Sequence, residues 1–286
     1  MIMTEAKMKT GRRNLSPGAI NRFRKVILDH YKGHGRTLPW RLTTDPYLVL
    51  VSEIMLQQTQ VDRVTPKYEE FIARFPDFSA LARATLQDVL QVWQGLGYNR
   101  RAIFLKRIAE QIMQEPAREF PQDVDCLKKL PGLGYATACS LMAFAFNAPV
   151  VFIETNIRTV FTHFFFTDEE NIKDSEILPL VAQTLDRQNP RVWYWALMDY
   201  GSMLKRTQGS NNPRSAHYQK QTPFKGSDRQ VRGMILRHLL AHPRSTASTM
   251  TQELGMPLGR LEQSLQRLAA EGFVRESQGR YSIAEA

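Results

Sequence analysis

Two glutamates stand in settings that suit acid–base chemistry. Glu53 lies within Tyr47-Leu48-Val49-Leu50-Val51-Ser52-Glu53-Ile54-Met55-Leu56, an almost wholly apolar run. Asp45 can cap the helix this run forms, and Pro46 fits its first position. A carboxyl group inside such a helix is desolvated, which raises its pKa and suits a proton donor. The competing reading is an acid paired with a buried arginine. Gln57-Gln58-Thr59-Gln60 follows one turn later, a donor and acceptor set matched to base edges, or else a helix end facing water.

Glu154 has a different neighbourhood. The apolar run Val150-Val151-Phe152-Ile153 delivers it, and Asn156 follows two residues on. An acid and a threonine before a helical segment read as a cap, although Ser, Thr, Asp and Asn are the usual capping residues. The functional reading is a carboxylate at the mouth of a cleft, where it stabilises a cationic sugar. Upstream, Leu130-Pro131-Gly132-Leu133-Gly134 joins two amphipathic runs as a helix-hairpin-helix. Glycines allow the sharp bend and a close approach. The amides that open the second helix point at a phosphate. An ordinary turn between helices is the alternative.

The elements that must hold these residues are helical. Leu86, Val89, Leu90 and Trp93 recur at helical spacing, and strand-like alternation is scarce before residue 200. With 286 residues, 43% of them apolar, the chain can bury one large core or two modest ones. Two cysteines, Cys126 and Cys139, cannot build a disulfide framework or a four-cysteine metal centre. No metal and no cofactor are expected, and a reducing, cytoplasmic setting (nucleoid-associated in a prokaryote) suits the thiols. No apolar stretch is long enough to span a membrane, and the N-terminal residues lack a signal-peptide core. Thirty-eight Lys+Arg against twenty-eight Asp+Glu give +10, which favours a polyanionic partner.

Residues 1–18 read as a loose arm, 19–204 as a helical domain and 205–228 as a basic linker. Lys205, Arg206, Arg214 and Lys220, with Tyr218 interleaved, can follow a phosphate backbone or simply be solvated. Residues 229–286 read as three helices and a terminal hairpin around Gln278-Gly279, a winged helix-turn-helix. Its third helix carries Leu258, Leu261, Leu265 and Leu268 on one face. Arg260, Gln263 and Arg267 on the other suit a groove or phosphates. Packing against a neighbouring domain is the other use of such a unit.

Several segments match one pattern: Leu38-Pro39-Trp40-Arg41, Pro46-Tyr47, Ser52 to Val61, Gly95-Leu96-Gly97-Tyr98, Leu130 to Gly134 and the turn containing Asn156. Over roughly residues 20–204 the chain resembles the helix-hairpin-helix DNA glycosylases of the endonuclease III superfamily, nearest to the adenine-specific MutY branch. The resemblance implies an all-α, two-lobed glycosylase fold, here followed by a winged helix with a small β wing. It implies a monomer that binds duplex DNA at a mismatch or lesion, flips a base and cleaves its N-glycosidic bond. Glu53 then protonates the departing purine, and Glu154 supports the oxocarbenium-like sugar. Gln57 and Tyr98 wedge into the stack, Gln58 lies near the lesion pair, and Ala136 replaces the Schiff-base lysine of lyase-active relatives. The chain departs from the pattern in four ways. Glu154 stands for an aspartate, and Met203-Leu204-Lys205-Arg206 stands where cluster cysteines would begin. The winged helix stands where a MutT-like domain is expected, and Asn99 replaces an aromatic. Within this class, thymine, uracil or an alkylated purine are rival targets. Outside it, the rival is a DNA-binding protein without catalysis.

Overall fold

Local capping signals and apolar spacing cut the chain into helices in the computed structural model, which describes residues 14–166, 169–209, 212–218 and 223–285. In chain order these are α1 (Pro17–His34), α2 (Pro46–Leu56), α3 (Val61–Arg74), α4 (Phe78–Arg83), α5 (Leu86–Trp93), α6 (Arg100–Gln114), α7 (Val124–Leu127), α8 (Tyr135–Phe146), α9 (Thr155–Phe165), α10 (Asp174–Thr184), α11 (Pro190–Gln208), α12 (Asp228–Ala241), α13 (Ala247–Leu254) and α14 (Leu258–Ala270). Ser16 accepts from the Ala19 amide and Pro17 opens α1. Thr85 and Asp88 form a reciprocal capping box at α5. Among the described residues no helix is long and apolar enough to cross a membrane.

The chain divides into two compact units. The first holds α1 and α7 to α11. Phe23 is its centre, fully buried among the rings of Phe161, Phe164, Phe165 and Trp193 at 5.1–5.9 Å. Beside this core the short turn Pro39–Arg41 turns Trp40 inward and delivers Arg41 to Asp199 on α11. Both Asp199 oxygens accept from Arg41 at 2.8 Å, and Arg36 adds its Nε at 2.7 Å and its amide at 2.8 Å. Burial pushes the Asp199 carboxyl up, but the bonds and charges of the two arginines outweigh it and hold the pKa below the usual carboxylate range. That fork is the physical content of the Leu-Pro-Trp-Arg signature.

The second unit holds α2 to α6 together with the C-terminal elements. Trp93 and Phe71 pack edge to face beneath α3 and α5. Three strands, β1 (Ser245–Thr246), β2 (Val274–Ser277) and β3 (Arg280–Ile283), make an antiparallel sheet in the order β1-β3-β2. Gln278 at φ 54° and Gly279 at φ 72° form the expected tight turn between β2 and β3. Leu261, Leu265 and Leu268 of α14 are buried, and Leu258, expected on the same face, is exposed. The winged helix is thus present, with β1 added. Two residues are too short to show alternation in sequence.

Some expected boundaries move. Leu15 is buried and its amide donates to Gln183 Oε1 at 2.8 Å, so residues 14–18 belong to the fold. Residues 1–13 of the expected arm lie outside the described residues. Helix α11 continues to Gln208, so Lys205 and Arg206 are helical instead of linker. Lys220 lies outside the described residues.

Replacing Asp199 by asparagine leaves Arg41 buried without its countercharge, at an expected cost of about 3–5 kcal/mol near neutral pH. A carboxylate with a depressed folded pKa stabilises above its unfolded value and loses that contribution as pH falls through the folded one. Urea unfolding should therefore show the gap between parent and Asp199→Asn narrowing below about pH 4. A gap independent of pH would refute the ion-pair account.

Candidate functional site

In the second unit two segments far apart in sequence meet at Arg101, and a third joins them through Gln57. This side chain, on α6, is almost fully buried. Its Nη1 donates to the carbonyls of Ile54, Met55 and Gln57 at 2.9, 2.7 and 2.6 Å. Its Nη2 donates to Thr59 Oγ1 at 3.0 Å and to the Gly97 carbonyl at 3.1 Å. The guanidinium therefore caps the C-terminus of α2 and ties residues 57–59 to the Gly95–Tyr98 loop. Burial pulls its pKa down to about 10, which still leaves it charged at neutral pH. Trp93 Nε1 donates to the Gly97 carbonyl at 3.1 Å, and Arg63 donates to the Gly95 carbonyl.

The third segment is the hairpin. Gln57 Nε2 donates to the Gly132 carbonyl at 3.4 Å. Gly132 has φ +77°, and a Cβ there would lie 2.4 Å from the Phe104 ring of α6. Both the backbone conformation and the contact demand glycine. Leu130 beside it is half-buried. Gly134 caps α8 at φ −81°, with open space around it. It needs no left-handed geometry.

At the surface of this cluster Gln58 takes φ 56° and is exposed, and Tyr98 takes φ 47°. The Tyr98 ring meets two guanidiniums, Arg101 at 5.5 Å and Arg229 at 5.7 Å, and its hydroxyl accepts from Arg229 at 2.7 Å. Arg229 belongs to α12, so the winged helix holds the loop that carries Tyr98. Glu53 is half-buried on α2, between buried Ser52 and Ile54. It is less enclosed than its apolar sequence neighbours suggest.

In the first unit Glu154 caps α9 with its own side chain. Its Oε1 accepts from the amides of Asn156 and Ile157 at 2.8 and 2.9 Å, and Oε2 from Asn156 Nδ2 at 3.1 Å. The capping reading is realised, and a glutamate fits because its longer chain folds back onto the amides. Lys205 of α11 donates to Asn156 Oδ1 at 2.7 Å. Burial pulls the Lys205 pKa down, partly opposed by the charge of Glu154. Gly201, one turn earlier, lets α11 approach: a Cβ there would sit 2.4 Å from the Asn156 carbonyl oxygen.

Two expected phosphate contacts are therefore engaged elsewhere. Lys205 supports Asn156. Arg214 donates to the carbonyls of Glu169 at 2.9 Å and Phe166. On α14, Arg267 pairs with Asp228 at 2.9 Å and Arg260 donates to the Gly226 carbonyl, both remaining exposed. Arg206 is exposed on the last turn of α11. The residues that sequence reasoning missed are Arg101, Gly201 and Arg229. A lone arginine in an amphipathic helix gives no signal that it faces inward.

An iron–sulfur cluster does not fit this chain. The segment where its ligands would begin is the helical turn Met203 to Arg206, and the two cysteines are Cys126, exposed on α7, and Cys139, buried on α8. Such a cluster needs four thiolates.

The family profile described as "HhH-GPD superfamily base excision DNA repair protein" matches residues 51–258. An adenine DNA glycosylase of Mycolicibacterium smegmatis is 33% identical over 279 residues, covering 90% of this chain and 94% of that relative. Another, from Buchnera aphidicola subsp. Baizongia pistaciae, is 36% identical over 187 residues, 64% of this chain and 52%, about half, of its own length. Among solved structures a thermostable thymine-DNA glycosylase superposes with TM-score 0.57 at 23% identity, covering 68% of this chain and 93% of that one, a likeness of fold.

Lysine cannot reproduce the planar fork of Arg101, so Arg101→Lys should lower the unfolding free energy by about 2 kcal/mol. An unchanged urea midpoint would show that its six hydrogen bonds contribute nothing net.

Proposed function

Because the chain belongs to the HhH-GPD superfamily of base excision DNA repair proteins, we propose that it is a monofunctional DNA glycosylase that flips a mispaired or damaged base and hydrolyses its N-glycosidic bond, adenine being the base. The observation that supports adenine most directly is the likeness, over nearly the whole of both chains, to an adenine DNA glycosylase.

Chemistry points the same way. Adenine is a poor leaving group until a ring nitrogen is protonated, whereas uracil and thymine depart as stabilised anions. Glu53 donates that proton as the bond from the base to C1′ breaks. The sugar is left cationic, and the Glu154 carboxylate, oriented by Asn156 and two backbone amides, stabilises it until water adds at C1′ and loses a proton. With Ala136 where lyase-active relatives carry lysine, no Schiff base forms and the product is an abasic site. Gln57 and Tyr98 enter the base stack, with Gln58 and Thr59 beside the lesion pair. The hairpin from Leu130 to Gly134 grips a phosphate with its amides. Arg206, Arg260 and Arg267 contact the backbone of a mismatched duplex bound by a single copy of the protein.

In single-turnover assays on duplexes carrying each mismatch and common lesion, adenine release should dominate. Release of thymine or uracil opposite guanine would overturn the adenine assignment, and strand cleavage without alkali would overturn the monofunctional one. Glu53→Gln should slow base release about 10²- to 10⁴-fold with duplex binding intact. A retained rate would remove Glu53 from the mechanism.

Salt dependence separates the two neighbouring cations of α11. Arg206→Ala should flatten the slope of log K against log salt by about 0.9. Lys205→Ala should leave it unchanged, because that amine is tied to Asn156. A flatter slope for the lysine variant would restore it as a phosphate contact.

A further inference from the structure

Outside the residues assigned so far, three side chains of metal-ligating type meet within the winged helix. His238 and His242 are one turn apart where α12 ends, with ring centroids 5.0 Å apart, and Glu253 lies on α13. One candidate ligand atom from each lies within 4.8 Å of the other two. Two cysteines rule out a four-thiolate centre but say nothing about imidazole and carboxylate ligands.

The hydrogen bonds around His238 sharpen this. Its side chain is buried, and Nε2 lies 2.9 Å from Ser245 Oγ. That hydroxyl donates its only proton to the His242 carbonyl at 2.7 Å, so it meets His238 as an acceptor. The neutral imidazole then carries its proton on Nε2 and aims the bare lone pair of Nδ1 at Glu253, 3.3 Å from Oε2. Two lone-pair acceptors facing each other at that distance repel unless a proton or a metal ion lies between them. Ligand atoms around a tetrahedral zinc ion are about 3.3 Å apart, given bonds of about 2.0–2.1 Å. A ligating histidine also characteristically donates its other ring N–H to a fixed acceptor, the part Ser245 plays here.

We infer that His238, His242 and Glu253 bind one divalent transition-metal ion, zinc by preference, that clips the end of α12 to α13. His238 is the fixed anchor. His242 and Glu253 are exposed and free to swing their ligand atoms inward, and the fourth position is open to water. Two imidazoles and a carboxylate suit zinc better than magnesium or calcium, which prefer oxygen alone. The ion's role is structural, within the small winged helix whose first two helices it joins.

The test uses the full chain, stripped with chelator and titrated with Zn²⁺ against a chromophoric competitor, with Co²⁺ as a spectroscopic probe. The expected result is one equivalent bound, a tetrahedral cobalt spectrum, and a melting temperature raised by about 5 °C at a hundredfold excess over the dissociation constant. His242→Ala and Glu253→Gln alter exposed side chains and leave the fold intact. Each should weaken binding at least tenfold and abolish the thermal shift. No uptake by the parent would overturn the assignment. So would uptake unchanged in both variants, which would move the ion to another site, such as the stacked His30 and His34 pair on α1.

Discussion

A helix that ends in the protein interior must find donors for its last carbonyls, and in the second unit one guanidinium meets that need. Arg101 takes three carbonyls at the end of α2 and then reaches two further loops with the same planar group. A cation at a helix C-terminus is favoured by the aligned peptide dipoles, which makes a buried charge tolerable among carbonyl and hydroxyl acceptors. The geometry of Gln57, Gln58, Thr59 and Tyr98 all passes through this group. The left-handed backbones at Gln58 and Tyr98 are held by surroundings that Arg101 organises. Arg229 extends the arrangement to the winged helix by fixing the Tyr98 hydroxyl.

The first unit solves a comparable problem with the opposite charge. The free amides at the start of α9 need an acceptor, and Glu154 serves. Capping and the proposed chemistry do not compete here, because the bonds that satisfy the helix also fix the direction of the carboxylate. Asn156 and Lys205 extend the network, and Gly201 lets α11 come close enough for Lys205 to join it. A lysine counted as surface charge is in fact half-buried beside an acid.

The same caution applies to the net charge of +10. Several arginines are paired with acids: Arg41 with Asp199, Arg158 with Asp174, Arg232 with Glu271, Arg275 with Glu285. Even on α14, Arg267 has Asp228 as neighbour. The positive excess remains real, but its distribution follows partners that lie far away in sequence. An exposed pair of this kind is weak enough for a phosphate to displace, so Arg267 keeps its place among the proposed contacts, as does Arg260, which is exposed and donates to the Gly226 carbonyl.

Read along the chain, local chemistry was enough for the helices, the hairpin, the winged helix and the segments that carry Glu53, Glu154 and Gly132. Capping residues, apolar periodicity and turn glycines act within a few residues of one another, so they are legible in one dimension. Boundaries at 18 and 205 were misread, because Leu15 and Lys205 are held by Gln183 and Asn156, partners that no local pattern announces. Only the tertiary structure decided that Arg101 turns inward, that Lys205 and Arg214 serve the fold, that Arg229 meets Tyr98, and that two histidines and a glutamate share one corner. Each depends on contacts between residues far apart in sequence, whose energies come from burial and hydrogen-bond geometry that residue type alone does not encode.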